Sequence, residues 1–264
     1  MRSMPNIILT AQNFDIYDND GLDPFARTGA TSAEQIHRTG ATGVILGHSE
    51  TGDTPEVVRG KLLTIVSKTK THGPGFLKNI TLLVGETWEE FQAQSTERVA
   101  QNVTGHLLYI LEDIPKESLS ALVVGYEPKW GSRGSGHDEV PPPSPELISV
   151  VCKKIRFELG TSIPIIYGGR STPERTEQIL ADENVEGFIL GSACNTVKKA
   201  MDIARVMARV RPTKHKILHA NFKAYELSDS YQMYMDALKT LGPDFTIYLS
   251  LCHTDLREVA TLLD

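Results

Sequence analysis

Apolar residues gather along this chain in two alternating periods. Short continuous runs rich in Val, Ile and Leu begin near positions 6, 43, 80, 119, 163, 187, 216 and 245. Their length and composition predict buried strands over Asn6–Asn13, Gly43–Gly47, Ile80–Gly85, Leu119–Tyr126, Ile163–Tyr167, Gly187–Leu190, Lys216–Ala220 and Phe245–Leu251. Each run is followed by a segment with a helical period. Between Pro55 and His72, for instance, Val57, Val58, Leu62, Leu63 and Val66 recur with a helical period. Further helices are expected over Ser32–Arg38, Thr196–Val210, Ser228–Leu241 and Thr254–Leu263, and over Thr87–Leu111 with a break near Gln94-Ser95. Ser144-Pro145-Glu146 and Thr172-Pro173-Glu174 both set a capping hydroxyl before a proline at the first helical position.

Strict alternation of strand and helix implies parallel strands joined by crossovers. Eight such units fit an α/β fold of the closed (β/α)8 barrel kind, in one domain spanning residues 1–264. A doubly wound open sheet is the runner-up, but it would want a GxGxxG turn after the first strand, and none stands there.

Composition narrows the function classes. The chain has 264 residues, 40% hydrophobic and 23% charged, as an ordinary globular protein does. A formal net charge of −6, with no basic run, argues against a nucleic-acid partner. No apolar stretch is long enough for a membrane span, and the apolar run after Pro5 is too short for a signal peptide. The three cysteines, Cys152, Cys194 and Cys252, are scattered, and no CxxC pair occurs. Neither a disulfide frame nor a zinc site is therefore expected, and the cytoplasm is the expected compartment. No metal or cofactor is expected.

In a barrel of this kind the site is built from the C-terminal ends of the strands. Those ends carry Gln12-Asn13, His48-Ser49-Glu50, Gly85-Glu86, Glu127, Gly168-Gly169-Arg170, Gly191-Ser192 and Asn221-Phe222-Lys223. A carboxylate, an imidazole and a lysine would meet at one mouth, with Gly-containing turns able to offer N–H groups to an anion. Around Glu127, Pro128 stiffens the chain exit, Trp130 can anchor it, and Gly131-Ser132-Arg133-Gly134-Ser135-Gly136 frees it again before Pro141-Pro142-Pro143. A stiff hinge, a mobile tip and a second hinge describe a lid. A carboxylate that a lid keeps from water is a usable base.

Gly-His-Ser-Glu at 47–50, Tyr-Glu-Pro-Lys-Trp at 126–130 and Tyr-Gly-Gly at 167–169 resemble the imidazole, base-and-lid and phosphate segments of the triosephosphate isomerase family. Ala11-Gln12-Asn13 and Gly187–Gly191 resemble that family's third and eighth strands. Asn221-Phe222-Lys223 resembles the end of its first strand, so the TIM barrel implied is circularly permuted, opening between the family's second helix and third strand. The resemblance implies an aldose–ketose isomerase of glyceraldehyde 3-phosphate and dihydroxyacetone phosphate. Glu127 would be the base, His48 the electrophile, Lys223 the charge stabiliser with Asn221 beside it, and Glu50 the partner that holds Lys223. Gly134, Gly169, Arg170, Gly191 and Ser192 would receive the phosphate of a small phosphorylated sugar. A homodimer is implied through the loop Asn13–Thr28, which is longer here than the family's. Arg170 stands where the family has a serine, the lid is a residue longer at Ser132-Arg133, and Ser192 replaces a glycine. These departures leave a four-carbon sugar phosphate, or binding without turnover, as alternatives.

Overall fold

The computed structural model describes residues 4–16 and 28–263. Eight parallel strands close into a barrel in chain order: β1 Asn6–Ala11, β2 Gly43–Leu46, β3 Asn79–Val84, β4 Leu122–Tyr126, β5 Ile165–Gly168, β6 Gly187–Leu190, β7 Lys216–Asn221 and β8 Phe245–Leu251. The ring closes through β8 and β1, paired from Asn6 opposite Thr246 to Ala11 opposite Leu251. Helices cover the outside: α1 Ala33–His37, α2 Pro55–His72, α3 Trp88–Ala93, α4 Thr96–Leu111, α5 Pro145–Leu159, α6 Pro173–Leu180, α7 Val197–Val210, α8 Tyr231–Leu238 and α9 Leu256–Ala260.

Helix starts follow the capping chemistry of the sequence. The hydroxyls of Ser32, Thr54, Thr87, Ser95, Ser144, Thr172, Thr196 and Ser230 each accept a backbone N–H of the first turn, a device contributing about 1 kcal/mol apiece. Two strands start later than the apolar runs suggest. Leu119 closes a 3-10 turn, Lys116–Leu119, set up by Pro115, so β4 begins at Leu122. Pro164 has no N–H for the ladder and only accepts from Val124, so β5 begins at Ile165.

Alternation along each strand sends every second side chain inward. Ile8, Ile45, Leu83, Val123, Ile166, Ile189, Ile217 and Tyr248, one from each strand, fill the ring as a core apart from the apolar layer under the helices. Space inside is tight enough to require glycine. A Cβ on Gly125 would sit 2.2 Å from Leu83 Cδ2, and one on Gly187 would sit 1.9 Å from the Ile217 carbonyl oxygen. Continuing the same parity upward brings Gln12, Glu127, Gly191, Asn221 and Lys223 to the C-terminal mouth.

Inside the barrel, beside the apolar ring, lies a polar cluster that the apolar pattern does not mark. Thr10, Thr81, His219 and Ser250 are all completely buried. His219 Nε2 lies 2.5 Å from Ser250 Oγ, its Nδ1 lies 3.3 Å from Thr81 Oγ1, and Thr10 Oγ1 bonds Ser250 Oγ. The ring stacks on Tyr248 with centroids 5.2 Å apart. His215 and His219 stand four residues apart, a spacing that would pair two imidazoles on a helix. On a strand it separates them by about 13 Å, and no metal-holding cluster occurs among the described residues.

Burial, with His48 above adding to it, pushes the His219 imidazole down to about 3. The folded chain therefore holds it neutral, whereas the unfolded chain protonates it near its ordinary value of about 6.5. Between those values the unfolded state binds more protons, so stability is lost as pH falls from about 6.5 toward 3. Urea midpoints measured between pH 7 and 4 should fall more steeply for the wild-type chain than for His219→Gln. Parallel slopes would mean that this imidazole does not set the acid sensitivity.

Candidate active site

Glu127 follows β4 directly and is almost fully buried at the barrel mouth. Its carboxylate accepts the Ser49 backbone N–H at Oε2 (3.0 Å), and Oε1 lies 3.4 Å from His48 Nε2. His48 reaches this position because Gly47 turns the chain at the end of β2 with φ of +75°. A Cβ there would lie 2.4 Å from the Leu83 carbonyl oxygen. His48 Nδ1 accepts the Glu50 N–H at 3.1 Å, which leaves the ring proton on Nε2, facing Glu127. One acceptor and one N–H donor thus stand side by side, the pair that a proton transfer next to a carbonyl requires.

Lys223 follows β7 in the left-handed region, with φ of +50°. That conformation is uncommon for a residue bearing a Cβ and is held from both sides. The Lys223 N–H donates to Asn221 Oδ1 (3.2 Å), and its carbonyl accepts from Gln12 Nε2 (3.0 Å) and Cys252 Sγ (3.1 Å). The ammonium forms an ion pair with the Glu50 carboxylate and lies 6.0 Å from the centre of the Tyr225 ring. His48, Glu127, Asn221 and Lys223 line one cleft together with Gly169, Arg170, Gly191 and Ser192. Glu50 is outside that lining and touches it through Lys223.

The segment after Glu127 is anchored at one end. Trp130 is buried, donates Nε1–H to Glu86 (2.9 Å), and stacks on Phe91 with centroids 4.5 Å apart. Tyr126 Oη also donates to Glu86, and the Lys129 N–H donates to its carbonyl. Burial raises the pKa of the Glu86 carboxyl, against the pull of these donors. Glu86 therefore sits beneath the hinge, away from the cleft lining. Gly134 and Gly136, with φ of +78° and +84°, turn the tip. The Gly134 N–H meets the Asp138 carboxylate at 3.1 and 3.2 Å, so Gly134 lies outside the cleft lining in this conformation. On the far arm, Arg170 donates to the carbonyls of Asp138 (3.0 Å) and Val140 (2.6 Å), while Arg175 donates to that of Pro143 (2.7 Å). Past Arg170, Arg133 and Ser192 a second cavity of about 320 Å3 opens toward Thr172, Asn195 and Lys199.

A sequence model described as Triosephosphate isomerase matches residues 2–207. The chain belongs to the triosephosphate isomerase family. It is 30% identical over 188 residues to the triosephosphate isomerase of Francisella philomiragia, a match covering 69% of this chain and 68% of that one. It is 31% identical to the glycosomal triosephosphate isomerase of Trypanosoma cruzi over 64% of this chain and 65% of that one. To the triosephosphate isomerase of Lawsonia intracellularis it is 29% identical over 82% and 76%. The chain thus spans about two thirds of the length of the first two relatives.

Several residues around the cleft are not marked by the strand ends. Cys252 and Tyr225 touch Lys223 from elements that the strand-end inventory omits, although Leu251-Cys252 is itself a strand end. Asn13, expected with Gln12 at the mouth, instead receives the buried Lys61 ammonium (2.8 Å), which also pairs with Asp53. Most of the long loop from Asn13 to Thr28, at residues 17–27, lies outside the described residues.

Proposed function

We infer that this chain interconverts an aldose phosphate and a ketose phosphate, with glyceraldehyde 3-phosphate and dihydroxyacetone phosphate as its pair. One observation carries the reading: a buried carboxylate and an imidazole N–H stand 3.4 Å apart in a cleft that a lysine also lines. Glu127 leaves the Ser49 N–H and takes a proton from the carbon next to the carbonyl. His48 Nε2–H donates to the carbonyl oxygen as negative charge grows there. Lys223 stabilises the enediolate, His48 carries the hydroxyl proton from one oxygen to the other, and Glu127 returns its proton to the neighbouring carbon. Gly134, Gly169, Arg170, Gly191 and Ser192 receive the phosphate. A second reading is favoured by the cavity past Arg170 and Ser192, which has room for the phosphate of a four-carbon sugar.

The segment order supports a circular permutation. The family match ends at residue 207, before β7 and β8. Those two strands carry Asn221-Phe222-Lys223 and pair between β6 and β1, the position the family's first two strands would occupy. The compartment we assign is the cytoplasm, on the cysteine pattern. The assembly we assign is a homodimer, which sedimentation at micromolar concentration tests: a fully active monomer would refute it.

An assay coupled to a dehydrogenase, run with three- and four-carbon aldose and ketose phosphates, tests the substrate. Glu127→Gln should lower kcat by about 10²–10⁴-fold with little change in phosphate inhibition, and near-parental turnover would remove Glu127 as the base. For the permutation, joining residue 263 to residue 4 through a short linker and reordering the chain as 216–264 before 1–215 should keep both fold and activity. The cut falls on the barrel face opposite the site. A reordered chain without cooperative unfolding would refute it.

A further inference from the structure

Two of the groups assigned above to the substrate phosphate bond within the chain, both to the same residue. The Gly134 N–H donates to the Asp138 carboxylate. Arg170 Nη1 donates to the Asp138 main-chain carbonyl, and Nη2 donates to the carbonyl of Val140. Asp138 thus spans the lid tip and the β5 turn, presenting an anion to one donor and a neutral oxygen to the other.

The arrangement is complete for a resting lid and incomplete for the arginine. Both guanidinium acceptors are neutral oxygens, and Arg170 Nε is buried with no partner at all. A guanidinium makes its strongest bonds as a planar fork on a carboxylate or phosphate. Two carbonyls from different residues supply hydrogen bonds without the charge. Glu127 is parked in the same resting sense, on the Ser49 N–H. At the tip, Asp138 offers the Gly134 N–H a carboxylate oxygen, the nearest thing to a phosphate oxygen that the chain's own side chains contain.

From this geometry we propose that Asp138 is a positioning residue that holds the lid open by standing in for the substrate phosphate, which displaces it from Gly134 and Arg170 as the lid closes. The proposal rests on the phosphate assignment made under the proposed function. It makes lid closure an exchange of one anion for another, so a phosphate competes with Asp138 for the same donors. Removing the carboxylate frees the Gly134 N–H in advance. Phosphate then binds more tightly, a direction that mere loosening of the lid would not produce. Because the lid must reopen to release product, kcat does not rise with the affinity.

The test compares the wild-type enzyme with Asp138→Ala, Asp138→Asn and Glu139→Gln. The last removes the same charge one residue away, from an exposed side chain. The measurements are the inhibition constant of inorganic phosphate, and KM and kcat for glyceraldehyde 3-phosphate. The proposal expects Asp138→Ala to lower the phosphate inhibition constant and KM together by about three- to tenfold, with kcat unchanged or reduced. Asp138→Asn, which keeps a weaker acceptor, should fall between, and Glu139→Gln should match the wild type. An unchanged or raised inhibition constant in Asp138→Ala overturns the proposal. So does an equal gain in Glu139→Gln, which would trace the effect to net charge. A wild-type enzyme that turns over and is inhibited by phosphate, beside an indistinguishable Asp138→Ala, loses the gate and keeps the function. A wild-type chain that neither turns over nor responds to phosphate loses both.

Discussion

Everything at the mouth of this barrel depends on inward parity. Eight strands share one ring, so the residues that point inward must fit a fixed volume layer by layer. Glycines at 125 and 187 exist because neighbouring strands leave no room for a methyl group. The same two-residue period that packs Val123 in the apolar ring delivers Glu127 to the opening, and the one that packs Ile217 delivers Asn221 and Lys223. A register slip of one residue would turn these side chains into the helix layer. Much of the site is thus an extension of core packing, with His48 brought to it by the Gly47 turn after β2.

On that frame the charged groups are held in waiting positions. Glu127 rests on a backbone amide, Lys223 on Glu50, and Arg170 on main-chain carbonyls. None of these partners is reacting chemistry, and each keeps a buried or half-buried polar group bonded. Leaving such groups unpaired would cost about 1–3 kcal/mol each. The resting contacts offset that cost and can be exchanged for substrate contacts when the lid moves.

Much of this was legible in the chain. Apolar runs alternating with helical periods name the eight strands, and β6 and β8 fall where the runs do. Strand ends name His48, Glu127 and Lys223 as neighbours, because a parallel barrel sends all those ends to one face. What stays hidden depends on pairings distant in sequence. Thr10, Thr81, His219 and Ser250 belong to four strands, and nothing local marks any of them as part of one network. Glu86 reads as a mouth residue by position and becomes a hinge anchor only through Trp130, far along the chain. Arg170 reads as a phosphate contact, and its bonds to the lid arm depend on a loop conformation that no periodicity encodes. The late starts of β4 and β5 reflect a 3-10 turn that takes up Leu119 and a proline, Pro164, inside the second run.

The pairing of β1 has a consequence for how the chain is made. Against β2 it is matched only at Thr10 with Gly43 and Ala11 with Val44, while against β8 it is matched along its whole length. β1 is therefore secured chiefly by β8, a strand that follows it much later in the chain. Until residues 245–251 have emerged, β1 has little ladder to join and presents an open apolar edge. Contacts spanning almost the whole chain are also the slowest to form. Synthesis of this barrel thus carries an interval, set by translation time, in which β1 keeps an open edge before the ring can shut.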